Sequence, residues 1–213
     1  MANNIAELIV DSGAYINNWK KKEDWINLPD GTVTPAYLSL RRLISQVDTK
    51  MVLKDALGEK AKEEFGDVAS SVIGLATAGI VWGDAVSERL GLPYGYVRSE
   101  KKKYGIGRLV EGNPPAGTAA ILVDDTLHTG TSLLEAKMVL NEEKKITTVG
   151  ALTIASLYAG GSDAFSEIIG VKTRSLVDYN QICQAAESAG VLTNSQHEEM
   201  IEYYKDPKGY KFK

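Results

Sequence analysis

The stretch ILVDDTLHTGTSLLEA, residues 121–136, concentrates residue types that could do chemistry. Two adjacent carboxylates, Asp124 and Asp125, end an apolar run. A small, hydroxyl-rich turn follows, from Thr126 through Leu127, His128 and Thr129 to Gly130, and opens into an amphipathic run at Thr131 and Ser132. A helix start offers unpaired backbone N–H groups and partial positive charge, so it attracts phosphate. Small residues let the anion come close, and Thr and Ser hydroxyls add donors. Carboxylates just ahead of such a cradle can accept hydrogen bonds from sugar hydroxyls. Together the two tools suit a ribose 5-phosphate group. The plainer alternative is a capped helix after a strand, with Asp as a turn residue. The Walker pattern G-x-x-x-x-G-K-[ST] is absent here, so this is not an ordinary P-loop. A second segment, GLATAGI at Gly74–Ile80, again follows an apolar strand and opens a helix. Its Ala76, Thr77, Ala78 and Gly79 are small enough for an anion to reach the backbone, although tight strand–helix packing would also explain them.

These segments need strands and helices to position them. Short apolar strands are expected at Val72-Ile73, Tyr96-Val97, 120–123, 148–154 and near 170–173. Helices are expected between them at 79–90, 131–140 and 164–169, after a helix at 51–65. Strands alternating with helices argue for an α/β fold with a mainly parallel sheet. The run AAILVDD is apolar without alternation, as a strand buried on both faces should be. Residues 4–22 read as one helix with an apolar face from Ile5, Leu8 and Ile9. Asp178 is expected to cap a helix over 179–189, and Ser195 with Glu198 to form a capping box for a last helix to Tyr204. Residues 99–118, polar and rich in Gly and Lys, read as a long connection of the functional or mobile kind.

On these residues the chain resembles the type I phosphoribosyltransferases, and within them the orotate phosphoribosyltransferase family. The apolar strand, acidic pair and T-G-T-S turn are similar to that family's motif for phosphoribosyl pyrophosphate (PRPP). The resemblance implies that Asp124 and Asp125 bind the ribose hydroxyls and that Thr126–Ser132, His128 included, hold the 5-phosphate. It makes Ala76–Gly79 the pyrophosphate loop. YVRSEKKKYGIGRLVEG, residues 96–112, resembles the family's catalytic loop, with Arg98 and Lys102 implied to neutralise the departing pyrophosphate. Ser99 stands where that pattern has a Lys, and Lys101 and Lys103 rival Lys102. Arg98, Lys102 and Asp125 are thus the implied catalytic residues. DGTVTPAYLSLRRLIS, residues 30–45, looks like the segment that closes over the base, which makes Tyr37 and His128 the implied base-binding residues. The implied architecture is a mainly parallel sheet flanked by helices, with an N-terminal hood over 1–48 and a phosphoribosyltransferase core over 49–213. The implied reaction transfers the phosphoribosyl group of PRPP to orotate. Mg²⁺ is expected to arrive on PRPP rather than in a protein cage, and a homodimer is expected, with the loop near Lys102 entering the partner's site. Two alternatives stay open: a phosphoribosyltransferase for another base, or a non-catalytic PRPP-binding regulatory protein.

The base-reading positions depart from the family. Orotate enzymes carry an Arg just beyond the strand that follows the PRPP helix, whereas VGALTIASLYAGGSDAF has none, and no Arg occurs between Arg108 and Arg174. Leu28-Pro29-Asp30-Gly31 stands where Leu-Lys-Ser-Gly is usual. Composition narrows the rest. A net charge of −4 provides no basic field for nucleic acid, and no apolar run reaches membrane-spanning length. The N-terminal residues MANNIAELIV lack a basic region and a long apolar segment, so no signal peptide is expected, and the protein reads as cytoplasmic. The single Cys183 cannot form an intrachain disulfide and reads as core packing.

Overall fold

The computed structural model describes residues 2–28, 31–99 and 109–212. The chain begins with α1 (Ala2–Asp11), then β1 (Tyr15–Asn17), β2 (Ile26–Asn27), β3 (Val33–Thr34) and β4 (Ala36–Leu38). The single helix expected over 4–22 therefore stops early: Gly13 turns the chain at φ +73, and β1 pairs antiparallel with β4. β2 and β3 form a second small antiparallel pair. A 3-10 turn, Leu40–Ser45, leads from this hood into α2 (Val47–Phe65).

The remaining elements alternate: β5 (Ser71–Leu75), α3 (Gly79–Leu90), β6 (Tyr94–Val97), β7 (Val110–Glu111), β8 (Ala119–Leu127), α4 (Thr131–Lys144), β9 (Thr147–Ser156), α5 (Gly161–Ile169) and β10 (Lys172–Asp178). Two helices close the chain, α6 (Tyr179–Ser188) and α7 (Asn194–Lys205). Among the described residues, the main sheet has six strands in the order β10-β9-β8-β5-β6-β7, parallel except where β7 folds back on β6. β7 lies inside the connection expected at 99–118.

The unalternating apolar run of β8 is explained by its place in the middle of the sheet. Ile121 and Val123 belong to a core that includes Leu53, Leu57 and Trp82 from α2 and α3, while Ala120 and Leu122 belong to one with Leu133, Ala136 and Leu140 from α4. Both faces bury apolar area, so polar positions have no place until the strand emerges. Cys183 packs in the first core, and burial pushes its thiol up to about 12.

Other boundaries shift for local reasons. α5 starts at Gly161 rather than 164, and β9 and β10 run on to Ser156 and Asp178 because they pair along their length. Asp178 caps α6 in a capping box with Gln181. The last helix is capped by Thr193 with Gln196, not by Ser195 with Glu198. No helix among the described residues is long and apolar enough to cross a membrane.

The C-terminal segment packs against the N-terminal part of the chain. The Phe212 ring meets Trp19, Trp25 and Tyr203 at centroid distances of 5.5, 5.2 and 5.0 Å. The Tyr203 hydroxyl donates to Thr32 Oγ1 at 3.2 Å, tying α7 to the start of β3. Interlocked aromatics of this kind hold surfaces together beyond their buried area alone.

Candidate active site

The chain runs outward from β5 to β6 on one side of the sheet and from β8 to β9 on the other. The carboxyl ends of β5 and β8 are therefore the topological switch point, where open α/β sheets bind ligands. β5 pairs with β8 only as far as Val123, and β8 continues alone on that side through Asp124 to Leu127. The acidic pair thus lies within the strand, and the turn starts at His128 rather than at Thr126. The space beside Asp124 is filled by the loop 76–78 and the start of α3. A side chain on Gly79 would stand 2.3 Å from the Val123 carbonyl oxygen and 3.1 Å from the Asp124 Cα. The two segments singled out from sequence are therefore in direct contact. The Ala76–Thr77 peptide bond is cis, and the Ala76 N–H is held by the Val97 carbonyl at 2.8 Å.

Both helices that begin here lack a side-chain cap. Ala78 and Gly130 precede α3 and α4 without one, whereas α6 and α7 carry complete capping boxes. Uncapped first-turn N–H groups are the donors an anion needs. Gly130, at φ +76, turns the chain against the Phe165 ring. Thr129 and Thr131 place their hydroxyl oxygens 3.0 Å apart at the exposed start of α4.

A cleft of about 500 Å³ opens over the acidic pair. Asp124, Asp125, Thr126, His128, Thr129 and Ser132 line one side, and the hood supplies Tyr37, Leu38, Ser39, Leu40 and Arg41. Leu28, Leu157 and Tyr204 complete the lining. The His128 ring packs edge-on against Tyr204, with centroids 5.7 Å apart. Tyr204 in turn rests on Tyr179 at 4.3 Å. Tyr37 and His128, from distant parts of the chain, meet in one cleft.

Not every expected residue reaches it. Leu127 turns its side chain into the core beside Leu133, and its carbonyl accepts the Leu157 N–H at 2.7 Å, so it has no side chain to offer a ligand. Arg98 follows the end of β6, two strands from β8, with Nη1 3.7 Å from Glu111 Oε1. Lys101, Lys102 and Lys103 lie outside the described residues. Sequence reasoning assigned no role to Arg41, although an Arg behind the Thr-Pro-x-Tyr pattern is part of the resemblance, and it missed Tyr204. Arg41 stood close behind the TPAY motif as a visible signal, whereas Tyr204 sits in a polar helix with nothing to mark it.

The electrostatics are set by crowding. Asp124 Oδ1 accepts the Asp125 N–H at 2.9 Å. Burial, then the neighbouring Asp125 carboxylate, pushes Asp124 up to about 8. Burial raises Asp125 as well, opposed by the Arg41 guanidinium. The folded chain therefore holds a proton on the acidic pair at pH values where the unfolded chain, with carboxyls near the usual value of about 4, has released it. In that range the unfolded state binds fewer protons, so stability falls as pH rises. Asp124→Asn is expected to flatten that fall and to raise the melting temperature of the unliganded protein at pH 8. Thermal melts from pH 5 to pH 8 check this; parallel curves for the two proteins would show that Asp124 is not the group responsible.

Comparison with known proteins accords with this geometry. Residues 44–173 match the phosphoribosyl transferase domain family. The chain belongs to that family. Among curated relatives, the orotate phosphoribosyltransferase of Cutibacterium acnes is 32% identical over 180 residues, covering 84% of this chain and 82% of that one. The orotate phosphoribosyltransferase of Streptococcus agalactiae is 29% identical over 197 residues, covering 92% and 91%. The crystal structure of orotate phosphoribosyltransferase from Aeropyrum pernix superposes with a TM-score of 0.71 at 30% identity, covering 88% of this chain and 99% of that one. The match makes the molecule a phosphoribosyltransferase, with the mainly parallel sheet and flanking helices of the type I fold. In this phosphoribosyltransferase the loop between β9 and α5, Leu157–Gly160, contains no cationic residue.

Proposed function

We propose that this phosphoribosyltransferase transfers the 5-phosphoribosyl group of PRPP to orotate, giving orotidine 5′-monophosphate and pyrophosphate, in the cytoplasm. The observation that carries the reading is the single cleft joining an acidic pair, an uncapped helix start and a hood aromatic, in a chain whose orotate phosphoribosyltransferase relatives match it nearly end to end.

In this reading the first turn of α4, with Thr129, Thr131 and Ser132, holds the 5-phosphate. Asp124 and Asp125 accept hydrogen bonds from the ribose hydroxyls. The uncapped start of α3 and the loop 76–78 receive the pyrophosphate. A base nitrogen forms a bond to the anomeric carbon as the bond to pyrophosphate breaks, and the electron pair leaves with pyrophosphate. Positive charge develops on the sugar and negative charge on the leaving group, so positioning and fixed charges do most of the catalysis. Arg98 and Lys102 are assigned to the leaving oxygens. Tyr37 and His128 flank the base, and the hood keeps out water that would otherwise attack the sugar.

Mg²⁺ supplies neutralisation of the pyrophosphate charge when it is bound. Two crowded carboxylates, one raised to about 8, are a donor pair that a cation would relieve. A metal arriving on PRPP fits them without a protein cage. A homodimer, with the loop near Lys102 reaching the partner's site, completes the proposal.

The test presents purified protein, PRPP and Mg²⁺ with orotate, uracil, adenine and guanine, and follows pyrophosphate release. Turnover of orotate alone is expected. Turnover of another base in its place would support the second reading, a phosphoribosyltransferase of different base specificity, which the cation-free turn Leu157–Gly160 favours. PRPP binding with no turnover would indicate a regulatory protein.

A further inference from the structure

The base end of the cleft has a charge problem. Orotate is an anion, and the cleft floor already holds Asp124 and Asp125. A carboxylate taken out of water beside like charge is costly unless a cation meets it. The loop after β9 provides none. Among the described residues lining the cleft, Arg41 is the single permanent cation.

Local geometry aims it there. Arg41 and Arg42 are adjacent in the 3-10 turn Leu40–Ser45 that leaves β4. In such a turn successive side chains point about 120° apart, so neighbours face different ways. Arg42 Nη1 donates to the Gly13 carbonyl at 3.4 Å, back toward the end of α1. Arg41 instead lines the cleft with Tyr37 and Ser39 on the hood side, opposite His128 and the acidic pair. Its side chain is solvent-exposed, and its charge is felt by both Asp124 and Asp125. It therefore acts on the acidic floor from the hood side of the cleft. A guanidinium offers a planar pair of N–H donors matched to a carboxylate.

We propose that Arg41 is the specificity-determining residue of this enzyme, binding the carboxylate of an anionic pyrimidine acceptor from the hood side of the cleft. The proposal rests on the orotate reading above and names the residue that makes such an acceptor tolerable here. The acceptor's negative charge would meet Arg41 in place of a cation from the β9–α5 turn.

The test compares wild type with Arg41→Gln, Arg41→Lys, Arg42→Gln and His128→Ala. Orotate KM, kcat, the rate with uracil and the PRPP dissociation constant are measured for each. Arg41→Gln is expected to raise orotate KM by about 10-fold or more, the effect of removing one charge-assisted hydrogen bond. It should lower the preference for orotate over uracil by a similar factor. Because the Arg41 charge also acts on Asp124 and Asp125, it should weaken PRPP binding too, but by less than it weakens orotate binding. Arg41→Lys should recover part of the deficit, and Arg42→Gln should match wild type. Circular dichroism confirms that each variant is folded. Three results overturn the proposal: an unchanged orotate KM in Arg41→Gln, a PRPP affinity that falls as far as orotate affinity, or a loss of orotate preference in His128→Ala but not in Arg41→Gln. A wild-type protein that turns over no orotate refutes the orotate reading itself, and the assignment of Arg41 falls with it; wild-type turnover with an indifferent Arg41 refutes the assignment alone.

Discussion

Asp125→Asn is expected to lower kcat/KM for PRPP by about 100-fold while leaving the protein folded. The side chain sits on the open stretch of β8 beyond its pairing with β5, within the cleft and outside both hydrophobic cores. Replacing the carboxylate by an amide keeps the shape and removes the charge. A hydrogen bond to a charged acceptor is worth about 1.5–3 kcal/mol, so each one removed costs about one to two powers of ten. Two such bonds to one carboxylate, each at the lower end of that range, give about 100-fold. Stability should move the other way. Burial raises the Asp125 carboxyl, so its ionised form is disfavoured in the folded chain, and the amide relieves that cost. A variant that melts no lower than wild type at pH 8 but binds PRPP far more weakly matches this account. Unchanged PRPP binding would remove Asp125 from the sugar site.

Gly79→Ala should injure both stability and catalysis. The added methyl would lie 2.3 Å from the Val123 carbonyl oxygen and 3.1 Å from the Asp124 Cα. Both are backbone atoms of the central strand, so neither can swing aside as the end of a flexible side chain would. The start of α3 must back away from β8 and take the loop 76–78 with it. Overpacking of this kind costs about 1–3 kcal/mol, and a misplacement of about 1 Å can cost about 100-fold in rate. Gly91→Ala is the matched control: it lies at φ +66 with nothing within 4 Å of the added atom, so it carries only a backbone cost of about 1 kcal/mol. Denaturant melts and steady-state kinetics of the two variants decide the matter. If Gly79→Ala behaves like Gly91→Ala, the contact between the start of α3 and β8 does not constrain the site.

Much of the site could be read along the chain because its two halves are each local. A strand, small residues and a helix start follow one another at both 71–80 and 119–133, so the two uncapped helix starts needed no long-range knowledge. The buried centre of the sheet was equally legible, since a strand covered on both faces admits only apolar side chains from Ala120 to Val123. The hood was not. Its strands are two or three residues long, and such short elements leave no periodicity. The apolar positions at Ile5, Leu8 and Ile9 therefore extended an apparent helix past Gly13, where the backbone actually turns to pair with Ala36–Leu38.

The sequence by itself determined the fold class, the acidic pair and the two phosphate-type turns, because each depends on neighbours within a few residues. Only the tertiary structure decided which groups line the cleft over the acidic pair. Tyr37, His128 and Tyr204 come from three separate parts of the chain, and no spacing rule connects them. The raised pKa of Asp124 arises from burial and from Asp125, so the residue type alone could not reveal it. Arg41 and Arg42 are indistinguishable in composition. The 3-10 turn sends one into the cleft and the other toward Gly13, and that rotation decides which of two identical charges can meet an acceptor.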